Sequence, residues 1–240
     1  MIADFFYIIK YYLLDIFFPN KCIICGKVSD YICKNCLKDL NYLSYDKCVF
    51  CNSSCLFGIC EDCSKKLAID GIFCLFKYKK IKKVIKNMKY EGFYDICRFF
   101  GEILSYLFIK NGIISCIKSD YLIITSVPMH KNRIKERGYN QAEKIAKVFS
   151  YKTNIPFYSN LLFRIKNTVK QATLSEKDRE NNLKDAFACN KFLKFKEDIN
   201  DISVILIDDV CTTGNTISEC SLCLKNFGFN YVYVITIAKA

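Results

Sequence analysis

The sequence predicts an α/β protein with a mainly parallel sheet and helices on both faces, preceded by a small cysteine-rich module. Strand-like segments near 72–76, 121–126, 203–207 and 231–237 alternate with helix-like segments. The segment 203–207 is an aliphatic run of the kind found in parallel strands that are buried on both faces. Nine of the 16 cysteines lie within residues 22–63, which sets that part of the chain apart.

The helices of the α/β part are predicted between these strands. A lysine-rich helix follows the first strand, and further helices are expected over 93–109, 136–149 and 216–226. The domain boundaries that we expect are 1–19 for an N-terminal helix, 20–67 for the cysteine module and 71–240 for the α/β domain. A hydrophobic fraction of 52% is ample for a globular core.

The N-terminal segment is predicted to be an amphipathic helix that ends before Pro19. Its charged residues make it too polar, and its length too short, to span a membrane. We expect it to pack on the body of the protein, and docking on a membrane surface remains the alternative. The apolar residues at helical spacing are Phe5, Ile8, Ile9, Tyr12, Leu13 and Ile16.

The cysteine module contains four Cys-x2-Cys pairs, a spacing that suits two tetrahedral, structural Zn2+ sites. Consecutive and interleaved sharing of the pairs are both open, as are an iron-sulfur cluster or redox dithiols, and Cys55 is a spare thiol. No convincing export signal precedes the module, so we expect a reducing, cytoplasmic compartment. The predicted ligands are Cys22, Cys25, Cys33, Cys36, Cys48, Cys51, Cys60 and Cys63.

Two adjacent carboxylates and a hydroxyl-rich turn follow the strand 203–207. Ligands bind at the carboxyl edge of parallel sheets, where Asp208 and Asp209 could accept hydrogen bonds from sugar hydroxyls or help to hold hydrated Mg2+. Gly214 lets backbone N–H groups converge on an anion at the start of the next helix. An ordinary capped strand-turn-helix is the alternative. The uninterrupted order resembles the phosphoribosyl pyrophosphate (PRPP) loop of type I phosphoribosyltransferases.

That resemblance implies a PRPP site that acts with Mg2+. Asp208 and Asp209 would contact the ribose hydroxyls. The 5′-phosphate would be wrapped by Thr212, Thr213, Gly214, Asn215 and Thr216.

A second basic loop follows the strand 121–126. Its cationic side chains suit a pyrophosphate group, because arginine makes bidentate contacts and stays charged when it is buried. His130, the only histidine in the chain, is more often a capping residue in such a loop than a catalyst. The pyrophosphate candidates are Arg133, Lys135 and Arg137, and the candidate catalytic residues are His130, Arg133 and Arg137.

Positive charge is concentrated in the middle of the chain. Residues 71–170 hold twenty Lys or Arg against six Asp or Glu, whereas the flanking parts are close to balanced. A solvated helix face is the alternative, but the density of lysines favours a surface that contacts nucleic-acid phosphates. The predicted contacts are Lys79, Lys80, Lys82, Lys83, Lys86 and Lys89.

A fourth motif completes a family pattern, with Arg164, Thr168, Gln171, Leu174, Arg179 and Asn182 at fixed spacing. Together with the cysteine pairs, 127–130, 137–142 and the PRPP loop, it resembles the ComF family over about residues 18–238. The resemblance implies a double zinc ribbon fused to a type I phosphoribosyltransferase-like domain. It also implies DNA uptake in natural transformation, with single-stranded DNA handled beside uptake machinery on the cytoplasmic face of the membrane. Met129 and Asn215 depart from the usual family residues.

Three functions stay open from the sequence. A competence protein that handles single-stranded DNA and binds PRPP or a related phosphate fits all the motifs. An active phosphoribosyltransferase of nucleobase salvage and a PRPP-sensing regulator fit the PRPP loop. Because the last predicted strand ends three residues before the C-terminus, we expect no C-terminal segment to cover a nucleobase.

Overall fold

A four-stranded sheet, parallel throughout, forms the centre of the protein. The structure is a computed structural model that describes residues 21–40, 42–90, 94–166, 183 and 185–240. The strands are β1 (Gly71–Lys77), β2 (Tyr121–Ser126), β3 (Leu162–Arg164), β4 (Phe187–Cys189), β5 (Ile202–Cys211) and β6 (Tyr231–Lys239). The central sheet has the order β1-β6-β5-β2, and β3 pairs with β4 in a separate antiparallel sheet. The predicted α/β fold is therefore confirmed.

Helices lie on both faces of the sheet. Their bounds are α1 (Lys34–Asp39), α2 (Glu61–Leu67), α3 (Tyr78–Tyr90), α4 (Tyr94–Lys110), α5 (Lys131–Arg137), α6 (Gln141–Thr153) and α7 (Asn215–Phe227). Among the described residues, no helix combines the length and the apolar character that crossing a lipid bilayer requires.

The side chains of the sheet alternate between two cores, as the period of two in a strand requires. On β5, Ile205 and Ile207 join the core that contains the buried faces of α3, α4 and α6. Val204 and Leu206 point the other way, into the core formed with α2, α7 and the β3–β4 sheet. Both faces of β5 are buried, so its run of aliphatic residues follows from its central position.

The cysteine module packs against β1, whose outer edge would otherwise be unpaired. The Leu43 N–H donates to the Leu75 carbonyl at 2.8 Å, and the Ile72 N–H donates to the Phe57 carbonyl at 2.9 Å. At Gly58, a Cβ atom would lie 1.9 Å from the Ile72 carbonyl oxygen, so only glycine allows this approach. The module thereby covers a sheet edge, which open parallel sheets must protect.

Two predicted elements were wrong in detail. The helix expected over 136–149 is divided into α5 and α6, because Gly138 adopts a φ of 81° and ends α5. The Asn140 side chain then caps α6 by accepting a hydrogen bond from the Ala142 N–H at 3.1 Å. The strand expected to end at 207 continues to Cys211, so the acidic pair lies within β5.

Some sequence predictions lie outside the described residues. The helix expected over 1–19 is one of them. Most of the fourth motif, from Thr168 to Asn182, is another, although its first residue, Arg164, is described at the end of β3.

Candidate functional site

Two clusters of four cysteines form in the N-terminal module, and in each cluster all the sulfur atoms lie within 4.8 Å of one another. The Sγ atoms of Cys25 and Cys33 are 3.7 Å apart, and those of Cys51 and Cys60 are 3.4 Å apart. Tetrahedral zinc with Zn–S bonds of about 2.3 Å separates its sulfur ligands by roughly 3.8 Å. Both clusters therefore fit a structural Zn2+ ion. Consecutive pairs share a cluster: Cys22, Cys25, Cys33 and Cys36 in the first, and Cys48, Cys51, Cys60 and Cys63 in the second.

Local turns bring each pair of thiols together. The Gly26 N–H donates to the Cys22 carbonyl at 2.7 Å, and the Asn52 N–H donates to the Cys48 carbonyl at 2.8 Å. The second pair of each cluster lies at the start of a short helix, α1 or α2. This combination of a tight turn and a helix start orients four sulfurs toward one point in each cluster.

A cavity of about 330 Å³ opens at the carboxyl edge of the sheet, where β5 and β2 end. The register pairs Ser126 with Ile207, so the segments after both strands meet at this edge. The polar residues that line the cavity are Tyr78, Lys89, Arg133, Arg137, Asn140, Gln141, Arg164, Asp208, Asp209, Thr212 and Thr216. Motifs that are more than a hundred residues apart in the sequence thus share one site.

The acidic pair is partly compensated inside this cavity. The Asp208 Oδ1 atom accepts the Asp209 N–H at 2.8 Å, and the Asp209 Oδ2 atom lies 2.8 Å from the Lys89 ammonium. Burial, together with the neighbouring Asp209 charge, raises the pKa of Asp208 to about 7. Burial lowers the pKa of Lys89, whereas the Asp209 carboxylate raises it. The effect of Asp209 is the larger in sum, so the pKa of Lys89 is raised. At neutral pH the pair therefore carries less net negative charge than two free carboxylates.

The predicted phosphate loop turns sharply into α7. Gly214 has a φ of 94°, which favours glycine, and a Cβ there would meet Leu67 and Phe50 of the cysteine module at 3.1 Å. The Lys239 ammonium donates to the Thr212 carbonyl at 2.7 Å and fixes the other side of the turn. The N-terminal end of α7 faces the cavity, so its N–H groups and the helix dipole can favour an anion there.

The loop residues do not all face the same way. Thr212, Gly214 and Thr216 line the cavity with the acidic pair. Thr213 and Asn215 instead line a neighbouring space beside the second cysteine cluster. Here the Thr213 Oγ1 atom accepts the Asn215 N–H at 3.5 Å.

The predicted basic loop contributes two of its three cations to the cavity. Arg133 and Arg137 line it, whereas Lys135 is exposed and lies outside the cavity lining. His130 caps α5, with its Nδ1 atom accepting the Asn132 N–H at 3.3 Å. His130 therefore has a structural role as the N-cap of α5.

The lysines of helix α3 lie partly on its solvent-exposed side and partly in the cavity. Lys79, Lys82, Lys83 and Lys86 are exposed, and Lys80 donates to the Asp39 carbonyl at 3.0 Å. Lys89 lies in the cavity, whereas the sequence prediction placed it with the nucleic-acid contacts. The helical spacing already indicated a different position for Lys89. Residue 89 follows Ile85 by four, so it lies beside the buried face of the helix.

Two other lining residues were not singled out for this site from the sequence. Arg164 reaches the cavity from β3, its guanidinium lies 5.5 Å from the Phe187 ring, and burial lowers its pKa. Gln141 begins α6 and is 1% exposed, and among the described residues neither polar atom of its amide has a hydrogen-bond partner. A buried amide without partners is costly, and in a ligand cavity it is a candidate contact.

Comparisons with known proteins agree with these motifs. A model of the double zinc ribbon domain matches residues 13–54. Competence protein F of Haemophilus influenzae is 30% identical over 236 residues, which cover 93% of this chain and 99% of the relative. DNA utilization protein YhgH of Escherichia coli is 32% identical over 116 residues, which are 48% of each chain. A hypoxanthine phosphoribosyltransferase of Staphylococcus aureus matches 63% of this chain and 65% of its own, with 12% identity and a TM-score of 0.32.

The two cysteine clusters lead to a test of the number of zinc ions bound per chain. We expect Cys25→Ser and Cys60→Ser each to reduce bound zinc from two ions per chain to about one, because each variant removes one sulfur from a different tetrahedral site. Cys116→Ser is the matched control, because Cys116 is exposed and outside both clusters. Metal analysis of the purified variants measures the result. Two zinc ions retained by Cys25→Ser would contradict its assignment as a ligand.

The raised pKa of Asp208 leads to a stability test. We expect Asp208→Asn to increase the free energy of unfolding, with a gain at pH 8 that exceeds the gain at pH 6 by about 1 kcal/mol. Asp208 ionises near pH 4 in the unfolded chain and near pH 7 in the folded protein, so ionisation penalises folding increasingly as pH rises toward 7. Above pH 7 the penalty is complete. Urea unfolding of both proteins at pH 6 and pH 8 measures the gain in the free energy of unfolding.

Asp209→Asn is the matched control for this test. It makes the same chemical change at the adjacent residue, but it removes the carboxylate that pairs with Lys89. We therefore expect Asp209→Asn to lower stability at both pH values. Equal gains for Asp208→Asn at pH 6 and pH 8 would contradict a pKa near 7.

Proposed function

Because this chain belongs to the ComF family of competence proteins, we propose that it acts in DNA uptake, handling single-stranded DNA and binding PRPP or a related sugar phosphate. The observation that carries the proposal is the cavity, in which an acidic pair, a helix N-terminus and three arginines meet beside a lysine-rich helix. The work would take place on the cytoplasmic side of the membrane, next to the uptake machinery. Fold alone does not decide function, so the proposal depends on the chemistry of these residues.

The cavity lining offers a candidate partner for each polar part of PRPP. The 5′-phosphate would bind at the N-terminus of α7, against Thr212 and Thr216. The ribose hydroxyls would donate to Asp208 and Asp209. The pyrophosphate would face the arginines, whose forked donors match phosphate oxygens; these are Arg133, Arg137 and Arg164.

Mg2+ would accompany the pyrophosphate group and neutralise part of its charge. The donor set is suitable, because carboxylate oxygens and waters are the ligands that Mg2+ prefers. Asp209 is already paired with Lys89 at 2.8 Å, so it would have to exchange that partner to contact the ion or the sugar. The Lys89 ammonium would then be available for a phosphate oxygen.

The exposed face of α3 supports the DNA part of the proposal. Lys79, Lys82, Lys83 and Lys86 project into solvent from one helix, whereas its apolar residues are buried in the core. Such a surface attracts phosphates without regard to base sequence, and its affinity falls as salt rises. The aromatic ring of Tyr78, partly exposed at the start of the helix, could stack with a base.

An active phosphoribosyltransferase is the second candidate function. The three arginines of the cavity favour it, because they could stabilise the pyrophosphate that such a reaction releases. Incubation with PRPP, Mg2+ and a panel of nucleobases would test it through the release of pyrophosphate. Release that depends on one base would support the transferase, and PRPP that is bound but not consumed would support a binding or sensing role.

The PRPP site leads to a binding test. We expect the double variant Asp208→Asn/Asp209→Asn to reduce PRPP affinity at least about tenfold, a loss of about 1.4 kcal/mol, because both acceptors for the ribose hydroxyls lose their charge. Titration calorimetry measures the affinity. Glu61→Gln/Asp62→Asn is the matched control, since it neutralises another adjacent acidic pair, which is exposed on α2. Unchanged affinity in the first variant would refute the site.

The lysine surface leads to a salt-dependence test. We expect Lys82→Gln/Lys83→Gln/Lys86→Gln to weaken single-stranded DNA binding about tenfold or more at low salt. The slope of log affinity against log salt should fall by about 0.7 for each phosphate that the variant no longer neutralises. Fluorescence anisotropy over a salt series measures both quantities.

The matched control removes the same charge elsewhere. Lys191→Gln/Lys194→Gln/Lys196→Gln changes three exposed lysines in the segment between β4 and β5. We expect it to lower affinity only slightly. Equal losses in the two triple variants would indicate a general effect of net charge, and the α3 surface would then have no special role.

A further inference from the structure

We propose that the cavity receives the 5′-phosphorylated terminal nucleotide of a single DNA strand, while the following phosphates run along α3. The inference rests on the proposed function and deepens it, because it names the form of nucleic acid that the phosphate site would take. It joins two features that the family resemblance treats separately, the phosphate loop and the lysine-rich helix. Four observations support it.

The first observation is the course of α3 along the cavity. Tyr78 and Lys89 both line the cavity, although they lie at opposite ends of the helix, roughly 16 Å apart at 1.5 Å per residue. Lys82 and Lys86 follow Tyr78 by four and eight residues and are exposed, so they lie on the neighbouring side of the helix. These two lysines form a stripe, the α3 stripe, which begins at the cavity and continues into solvent.

The second observation is that the phosphate loop is closed at its back. Leu67 and Phe50 of the cysteine module lie against Gly214, at 3.1 Å from where a Cβ would be. The phosphate site beside Gly214 is therefore approached from the cavity, where a terminal phosphate, with a single carbon substituent, is less crowded than an internal phosphodiester, with two. A terminal phosphate also carries more negative charge than an internal phosphodiester, which favours it at the N-terminus of α7.

The third observation is the compensated acidic pair. In a DNA strand the 3′ oxygen of the terminal nucleotide carries the next phosphate, which two free carboxylates would repel. Here the Lys89 ammonium lies 2.8 Å from Asp209, on the same helix as the α3 stripe. Lys89 can therefore offset the carboxylate and contact the first phosphodiester as the strand leaves the cavity.

The fourth observation is the size of the cavity. A volume of about 330 Å³ lies at the small end of the range for ligand pockets, roughly 300–1,000 Å³. It suits one nucleotide. A base farther along the strand could reach Tyr78 at the other end of α3, where its ring can stack with a base of any sequence.

Three forms of one oligonucleotide test the inference. A 5′-phosphorylated strand, the same strand with a 5′-hydroxyl, and the same strand ligated into a circle would each carry an internal fluorophore. We expect the zinc-loaded, full-length protein to bind the phosphorylated strand about tenfold more tightly than the other two. Saturating ribose 5-phosphate or PRPP should reduce that affinity to the level of the circle, because the sugar phosphate would occupy the same loop.

Two variants separate the loop from the stripe. Thr212→Ala/Thr216→Val should remove the preference for the 5′-phosphate, so that the phosphorylated strand and the circle bind this variant equally. Lys82→Gln/Lys86→Gln should weaken all three forms by a similar factor and preserve their ratio. Retention of two zinc ions per chain and an unchanged midpoint of urea unfolding serve as folding controls for both variants.

The outcomes distinguish this inference from the proposed function. Equal, salt-dependent binding of all three forms would overturn the inference and leave single-stranded DNA handling intact. A 5′-phosphate preference that persists in saturating ribose 5-phosphate would also overturn it, because the end would then bind elsewhere. Binding of none of the three forms, with PRPP still bound, would overturn both the inference and the DNA part of the proposed function.

Discussion

The parallel pairing of β5 with β2 is the constraint on which the rest of the site depends. The register sets Ser126 beside Ile207, and the Val127 N–H extends the pairing by donating to the Ile207 carbonyl at 2.9 Å. Both strands consequently end at the same edge of the sheet. The segment after β2 carries the arginines of α5, and the end of β5 carries the acidic pair and the loop into α7. One backbone register thus brings opposite charges and a helix N-terminus around a single cavity.

Charge balance within that cavity follows from the same geometry. Burial raises the pKa of Asp208, and Lys89 reaches the adjacent Asp209 from a helix that packs on one face of the sheet. The arginines, in contrast, stay charged even where burial lowers the pKa, as at Arg164. The site is therefore prepared for a ligand with several negative charges. Its acidic pair is held by protein contacts that a sugar or a metal ion would have to replace.

The cysteine module has a structural role that reaches the phosphate loop. Its backbone covers the free edge of β1, and its side chains Phe50 and Leu67 lie against Gly214. Phe50 precedes Cys51 of the second cysteine cluster, and Leu67 lies one helical turn after Cys63 on α2. A metal ion held by this cluster would therefore fix the back of the loop. Because so short a segment has little core of its own, zinc binding would supply much of the free energy that orders it.

The sequence by itself determined the local features of this protein: the alternating strands and helices, the cysteine pairs, the acidic pair and the glycine turn before α7. Each of these depends on residues that are close together in the chain, where periodicity and turn chemistry act directly. Gly138 carried a local signal for the break between α5 and α6 that the predicted single helix overlooked. Only the tertiary structure decided that consecutive cysteine pairs share a cluster, that Lys89 contacts Asp209 and that Arg164 reaches the cavity. The contacts of Lys89 and Arg164 join residues that are distant in sequence, so packing and strand register determine them. Consecutive and interleaved cysteine pairings have the same local geometry, so only the packing of the module decides between them.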